Sequence, residues 1–414
     1  MSGRRVVVTG VGLISALGDS SEALHDALCA GRRALVPLAE VAAATGLPPV
    51  PGAPVVDFEP RRYLGDRNLR PLDRTGLLTA AAAERALAAA GWDAERRAFV
   101  EVALVLGTTF GSVHTISEFD RRALTAGPAY VKPFDFANSV INAAAGQAAI
   151  WHGLRGVNTT LAGGPAVGLE AVAYAADLVA SGRSPVALAG GADELCAESV
   201  LGYARAGRVA GGDGAEPCSV PFASGRNGFA PGEGAALLVL EDAAAAARRG
   251  VAALAVVAGH GSAFDPGRGL DAAASTAAVA RAVREALADA GIGAEQIGGV
   301  ATSAAGSPEG DRREARGIAA ALGPTAAAVP VTALKGALGE PLGAGGALQV
   351  AALVAALGDG RLPGVAGLAD PEPGLGLGRL AAEPRDLVGR HVLATALDHD
   401  GGARALVLVR PEEG

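Results

Sequence analysis

Asn158-Thr-Thr-Leu-Ala-Gly-Gly-Pro-Ala-Val-Gly-Leu169, running on into Glu170–Ala180, is the stretch whose reading decides the fold. Asn158–Ala162 has strand character and enters the glycine-rich turn Gly163–Gly168, after which Leu169–Ala180 repeats apolar residues at helical spacing. A strand that passes through glycines into a helix is half of a βαβ unit. The same order returns downstream, where Val329–Thr332 leads through a second glycine-rich turn into an apolar helix, Gly345–Leu357. Further pairs echo each other: Val102–Leu106 with Val300–Thr302, and Ala235–Glu241 with Arg404–Arg410. An internal duplication is the economical reading, with halves 1–252 and 253–414. Strands this apolar need cover on both faces. Two such halves packed together predict an α/β fold of five layers, α-β-α-β-α, with outer helices, two sheets and a shared buried helix layer. Both glycine-rich turns then point at one central axis, and a site is expected where they meet.

Smaller elements fit this grammar. Arg5–Thr9 reads as a buried first strand, Ser21–Ala30 as a helix, Leu72–Gly91 as a long Ala-rich helix and Val186–Ala189 as another strand. The 414 residues are 50% hydrophobic and 19% charged, enough for a large core, which excludes disordered and coiled-coil classes. With 43 acidic against 35 basic residues and no Lys/Arg cluster, nucleic acid is not an expected partner. Cys29, Cys196 and Cys218 form neither a CxxC pair nor a zinc spacing, so no metal is expected and a reducing, cytoplasmic setting is. The basic start Met1–Arg5 and the glycine-broken apolar run behind it read as a first strand, not a leader. The most apolar stretch, Gly343–Gly358, breaks off at Gly358-Asp359-Gly360, short of the roughly 18–20 residues of a membrane span.

Common catalytic motifs fail. Gly10-Val11-Gly12 follows a strand, but Ser15 stands at the third glycine of a dinucleotide fingerprint and no acid lies about 20 residues on. There is no P-loop, no GxSxG elbow and no HExxH; His25, His114, His152, His260, His391 and His399 each read as surface or loop residues. No cofactor is expected.

Arg4–Gly18, Ala144-Ala-Gly-Gln147, Ala189-Gly-Gly-Ala-Asp193, Pro221-Phe222, Arg226–Ala235 and Gly343-Ala-Gly-Gly-Ala347 occur in an order that resembles the β-ketoacyl-ACP synthases of the thiolase-like condensing enzymes. The resemblance spans nearly the whole chain and implies the duplicated five-layer fold. It also implies a cysteine nucleophile at a helix N-terminus, two histidines that assist decarboxylation and a lysine. The family's Cys-x-x-Gly-Leu aligns on Pro165–Leu169, its first histidine on Ser303 and its second on Glu340. The three central groups are therefore absent. Lys335, one of two lysines with Lys132, is retained, as are Asp311 and Glu314, and the resemblance implies that these acids and the lysine form a buried charge cluster. The gating aromatic aligns on Asp400. Proline supplies neither a nucleophile nor a backbone N–H for an oxyanion, so condensation by this chain alone is not expected.

A degenerate ketosynthase of this kind is similar to the ketosynthase β-subunit, or chain-length factor, of bacterial type II polyketide synthases, although those of aromatic pathways usually carry Gln where Pro165 stands. What this implies is a partner, the catalytic ketosynthase α-subunit, serving acyl carrier protein, whose acyl tunnel is closed by the β-subunit. The reaching segment would be Pro133–Asn142, with Phe136, Asn138 and Ser139 as tunnel residues beside Asp135, and with Phe134 in the core. Two other readings stand: a ketosynthase-fold acyltransferase, decarboxylase or hydrolase built on Ser303, Glu340 and Lys335, and a homodimeric scaffold.

Overall fold

The computed structural model describes residues 4–267 and 270–412, so Met1, Ser2 and Gly3 of the first-strand reading lie outside the described residues. Strands β1 (Val6–Ser15), β2 (Val102–Thr108), β3 (Asn158–Ala162), β4 (Val186–Asp193) and β5 (Gly234–Asp242) belong to the first half. Strands β6 (Ala255–Phe264), β7 (Ile297–Thr302), β8 (Pro330–Ala333), β9 (Arg379–Leu380), β10 (His391–Leu397) and β11 (Gly402–Val409) belong to the second. The helices that position the site are α1 (Ser21–Cys29), α2 (Arg74–Ala89), α3 (Val113–Ala126), α4 (Pro133–Ala137), α5 (Ala143–His152), α6 (Val167–Ala180), α7 (Ala272–Ala290), α8 (Pro308–Leu322) and α9 (Gly345–Asp359).

The strand order is β9-β8-β7-β10-β11-β6-β1-β5-β4-β2-β3. Outward from the middle, β1-β5-β4-β2-β3 and β6-β11-β10-β7-β8 repeat one pattern: two antiparallel pairings, then two parallel ones. The duplication is thus a property of the topology. The two sheet layers are joined edge to edge into one hydrogen-bonded sheet, because Val6, Val7 and Val8 pair antiparallel with Val257, Val256 and Ala255. The sheet closes around the central layer, where α6 and α9 share one core with strands of both halves. α2 covers the outer face of the first half and α7 with α8 that of the second.

β1 runs past its expected end at Thr9 to Ser15. Its glycines are needed for close packing: a Cβ on Gly10 would lie 2.5 Å from the Ala86 carbonyl oxygen, and one on Gly12 2.1 Å from that of Ala82, both on α2. That is why Gly10-Val11-Gly12 exists without a nucleotide. Among the described residues, one segment, Leu342–Asp359, is long and apolar enough to cross a membrane; 83% of it is buried inside the protein, as the middle layer demands.

Candidate functional site

The two glycine-rich turns meet backbone to backbone. A Cβ on Gly168 would stand 2.2 Å from the Gly343 carbonyl oxygen, and one on Gly346 2.4 Å from the Leu169 nitrogen, so only glycine allows α6 and α9 to start this close. Asp193, at the end of β4, fixes the junction: its carboxylate accepts from Thr108 Oγ1 (2.8 Å), the Thr109 and Phe110 amides (2.7 and 3.1 Å) and, across the halves, the Gly343 amide (2.8 Å). Beside it lies a cavity of about 200 Å³ whose walls include Arg208, Phe229, Ser303, Glu340, Asp398 and His399.

Pro165 is buried in the turn before α6. The next amide, Ala166 N–H, donates to Asp398 Oδ1 at 2.7 Å. Ser303 donates from both its amide and its hydroxyl to Glu314 Oε1 (2.9 and 3.0 Å), and its oxygen accepts from Leu397 N–H at 3.0 Å. Its partner is therefore Glu314, and the Ser303–Glu340 acid/base pair is not formed. Thr395 Oγ1 donates to the same Glu314 oxygen at 2.7 Å, and burial pushes this carboxyl up to about 7.

Lys335 and Glu340 are each 3% exposed and bond Nζ to Oε2 at 2.7 Å. Lys335, Asp311 and Glu314 are all buried, and the Lys335 charge also acts on Glu314, but the ion pair that Lys335 makes is with Glu340. Gly339, at φ +68°, folds Glu340 back onto the single helical turn Lys335–Leu338, so this acid takes the lysine. Burial raises the Glu340 carboxyl while the Lys335 ammonium draws it back down. Asp311 pairs instead with Arg226 Nε at 3.3 Å and accepts the amides of Phe222, Ala305 and Gly306 at 3.0–3.1 Å. That set holds Phe222 fully buried at φ +64°. Asp400 is exposed at the gate position.

Sequence reading missed Asp398 and His399. His399 sits at the cavity with its ring stacked on Phe229 (centroids 6.1 Å apart) and edge-on to Tyr203 (5.5 Å); its Nδ1 accepts from Arg208 Nη1 at 3.1 Å. Burial and then the Arg208 charge push it down to about 3. His25 and His152 are likewise buried, in α1 and α5, so the uniform surface reading of the histidines is corrected. The available signal was the dense charge of Asp398-His399-Asp400 against Gly401-Gly402.

The segment expected to reach a partner is split by the structure. Phe136 is 67% exposed, its ring 6.0 Å from that of Phe119 on α3. Phe134 is 55% exposed and does not belong to the core, because α4 is too short to bury both faces. Asn138, by contrast, is 4% exposed and donates from Nδ2 to the Pro71 carbonyl at 2.8 Å, so it anchors the segment and does not reach out. Asp135 is half-buried, and Ser139 Oγ donates to the Phe136 carbonyl at 2.7 Å. Tyr130, Val140, Ile141 and Ile150 add exposed apolar surface nearby. β3 forms the outer edge of the sheet, paired on one side only by β2.

Residues 3–246 match the family "Beta-ketoacyl synthase, N-terminal domain" and residues 254–369 "Beta-ketoacyl synthase, C-terminal domain". The chain belongs to the β-ketoacyl synthase family. It is 33% identical to the tetracenomycin polyketide synthase ketoacyl synthase beta subunit of Streptomyces glaucescens, over 98% of each chain. It is 31% identical to 3-oxoacyl-[acyl-carrier-protein] synthase 2 of Vibrio cholerae, over 91% of this chain and 92% of that one. The ishigamide ketosynthase/chain length factor superposes with a TM-score of 0.90 at 28% identity, covering 99% of this chain and 100% of that one. The fold is the thiolase-like ketosynthase fold.

Proposed function

We propose that this chain is a non-catalytic ketosynthase β-subunit, a chain-length factor, that heterodimerises with an active ketosynthase and closes its acyl tunnel. The observation that carries the reading is the start of α6. Where the family places its thiol stands Pro165, and the following amide is given to Asp398. The other groups of the old centre are engaged with one another: Lys335 with Glu340, Ser303 with Glu314 and Asp311 with Arg226. An enzyme built anew on Ser303, Glu340 and Lys335 is disfavoured by the same bonds, since neither a free base nor a free nucleophile remains among them.

The exposed side supports a partner. Phe134, Phe136, Val140 and Ile141 lie together in sequence and open to solvent, and among the described residues the outer strand β3 has an unpaired edge. Exposed apolar patches and open sheet edges are surfaces that other chains cover. The mate in this reading is a catalytic α-subunit, and through it acyl carrier protein delivers the growing polyketide. Compartment and division follow the same reading: cytoplasmic, with halves 1–252 and 253–414. The ishigamide and tetracenomycin relatives are named for such synthases, which supports a type II polyketide system.

Affinity capture of this chain from its native cells, with native mass measurement and peptide identification, tests the proposal. A one-to-one complex with a similar-sized chain carrying intact Cys and His groups is expected. A homodimer without such a companion would favour the scaffold reading, and acylation of the isolated chain by malonyl- or acetyl-carrier protein would favour the enzyme.

A further inference from the structure

Asp398 follows the last residue of β10, and its side chain is fixed from two sides. On one side it meets the turn before α6: Oδ1 accepts the Ala166 amide at 2.7 Å, and a Cβ on Gly164 would stand 2.5 Å from that same oxygen. On the other it meets its own hairpin: its amide donates to the Gly402 carbonyl at 2.7 Å, and a Cβ on Gly402 would stand 2.8 Å from Oδ2. Glycines at 164 and 402 therefore leave room for one carboxylate between the halves. The dipole at the start of a 14-residue helix favours an anion there, and this helix carries its anion in cis.

We infer that Asp398 is a built-in occupant of the position where a reacting group of this chain would have to sit, and that it bars acyl groups and small anions from the start of α6. This deepens the β-subunit reading and rests on it only in supposing that the centre is silent. Loss of the thiol removes the nucleophile, and Asp398 removes the environment that would activate a new one. A thiolate placed at residue 165 would compete with the carboxylate for the Ala166 amide and face its charge, so its pKa would rise where a helix N-terminus ordinarily lowers it. The other charges at this turn are Glu170 on α6, ion-paired with Arg404 at 2.8 Å, and Asp400 beyond the hairpin. Burial holds the Asp398 carboxyl up at about 6, so it is mainly ionised at neutral pH.

The test places the thiol there and reads its titration. Pro165→Cys and Pro165→Cys/Asp398→Asn, in the full chain and in whatever assembly it purifies, are alkylated with iodoacetamide across a pH series. The thiolate sulfur bonds the methylene carbon and iodide leaves, and the residue-165 peptide is quantified by mass, which separates it from Cys29, Cys196 and Cys218. Asn keeps an oxygen for the Ala166 amide and removes the charge. The expected result is a thiol pKa lower by a unit or more in the double variant, with alkylation near neutral pH about tenfold faster. Equal titration in both variants overturns the inference, as does a thiol already activated in Pro165→Cys alone. If the double variant does not fold, Pro165→Cys/Asp398→Ser gives the same comparison with a shorter acceptor. The readout needs no mate, so its failure leaves the β-subunit reading standing, and a failed search for a mate leaves this titration unaffected.

Discussion

The cavity region around Lys335 and Ser303 and the segment from α3 to α5 treat their side chains in opposite ways. In the centre the buried charged groups have internal partners: Lys335 lies 2.7 Å from Glu340, Asp311 3.3 Å from Arg226, and Asp398 takes the Ala166 amide. In the segment, Phe134, Phe136, Val140 and Ile141 turn apolar side chains outward, while Asn138 reaches back to the Pro71 carbonyl. A buried polar group without a partner costs about 1–3 kcal/mol, more for a charge, so buried charges in the interior are found in satisfied pairs. An exposed apolar group is tolerated where another surface covers it. The difference separates an interior whose polar groups answer one another from a surface that leaves its apolar groups open.

The strongest way to break this comparison is through Lys335. Lys335→Met leaves Glu340 buried and unpaired, and should lower unfolding free energy by about 3–5 kcal/mol in urea titration. Lys335→Met/Glu340→Gln should recover most of that loss, because removing both charges is far cheaper than stranding one. A double variant no better than the single would mean that the pair holds more than itself, and that the centre is not a set of independent pairs.

Glu194 sits between the two regions. It is 5% exposed, and its Oε1 accepts the His114 amide at 3.3 Å in the first turn of α3; burial, with Asp73 as the next cause, pushes its carboxyl up to about 8 from 4.5. A raised folded-state pKa means that the native chain holds this proton more tightly than the unfolded chain does. The associated stability is present below about pH 4.5 and is lost as pH rises to about 8. Glu194→Gln should therefore be more stable than the parent at pH 9, on the order of 1–3 kcal/mol, with little difference at pH 4.5. Melting curves across that window check it; a pH-independent difference would place the residue's effect in packing.

What the sequence made legible follows from periodicity and from blocks in register. Asn158–Ala162 begins and ends where read, and the echo of Ala235–Glu241 in Arg404–Arg410 became β5 and β11, which hold equivalent places on either side of the sheet's middle. What stayed hidden depends on few contacts between distant residues. The union of the two sheets rests on three residue pairs between β1 and β6, which no local pattern announces. Lys335 chose Glu340 over Asp311 because Gly339 bends the chain back, a matter of one backbone angle. The outward turn of Phe134 lies in a five-residue helix opened by Pro133, and the inward turn of Asn138 just past its end, where helical periodicity has no length in which to show itself.

Two neighbours sharpen the contrast at smaller scale. Asn138→Ala removes a buried bond to the Pro71 carbonyl and should cost about 1–2 kcal/mol, whereas Ser139→Ala removes an exposed one and should cost about 0.5 kcal/mol or less. Chemical denaturation of the two variants distinguishes an anchor from a surface residue, and equal costs would undo the division drawn within this segment.

Phe136→Ala should disturb the fold least of all. The ring is 67% exposed and its one aromatic neighbour, Phe119, is 6.0 Å away, so its removal should change unfolding free energy by about 0.5 kcal/mol or less. Its effect belongs to the partner. If this side chain closes the mate's acyl tunnel, a smaller residue leaves room at the end, and the reconstituted pair should release products longer by one or more two-carbon units, read by mass spectrometry. An unchanged product distribution from a variant that still pairs with its mate would remove Phe136 from the tunnel and pass that role to Phe134, the other exposed ring of α4. A variant that no longer pairs would make the same ring a contact of the interface, and the apolar arm would then be holding the mate without measuring its product.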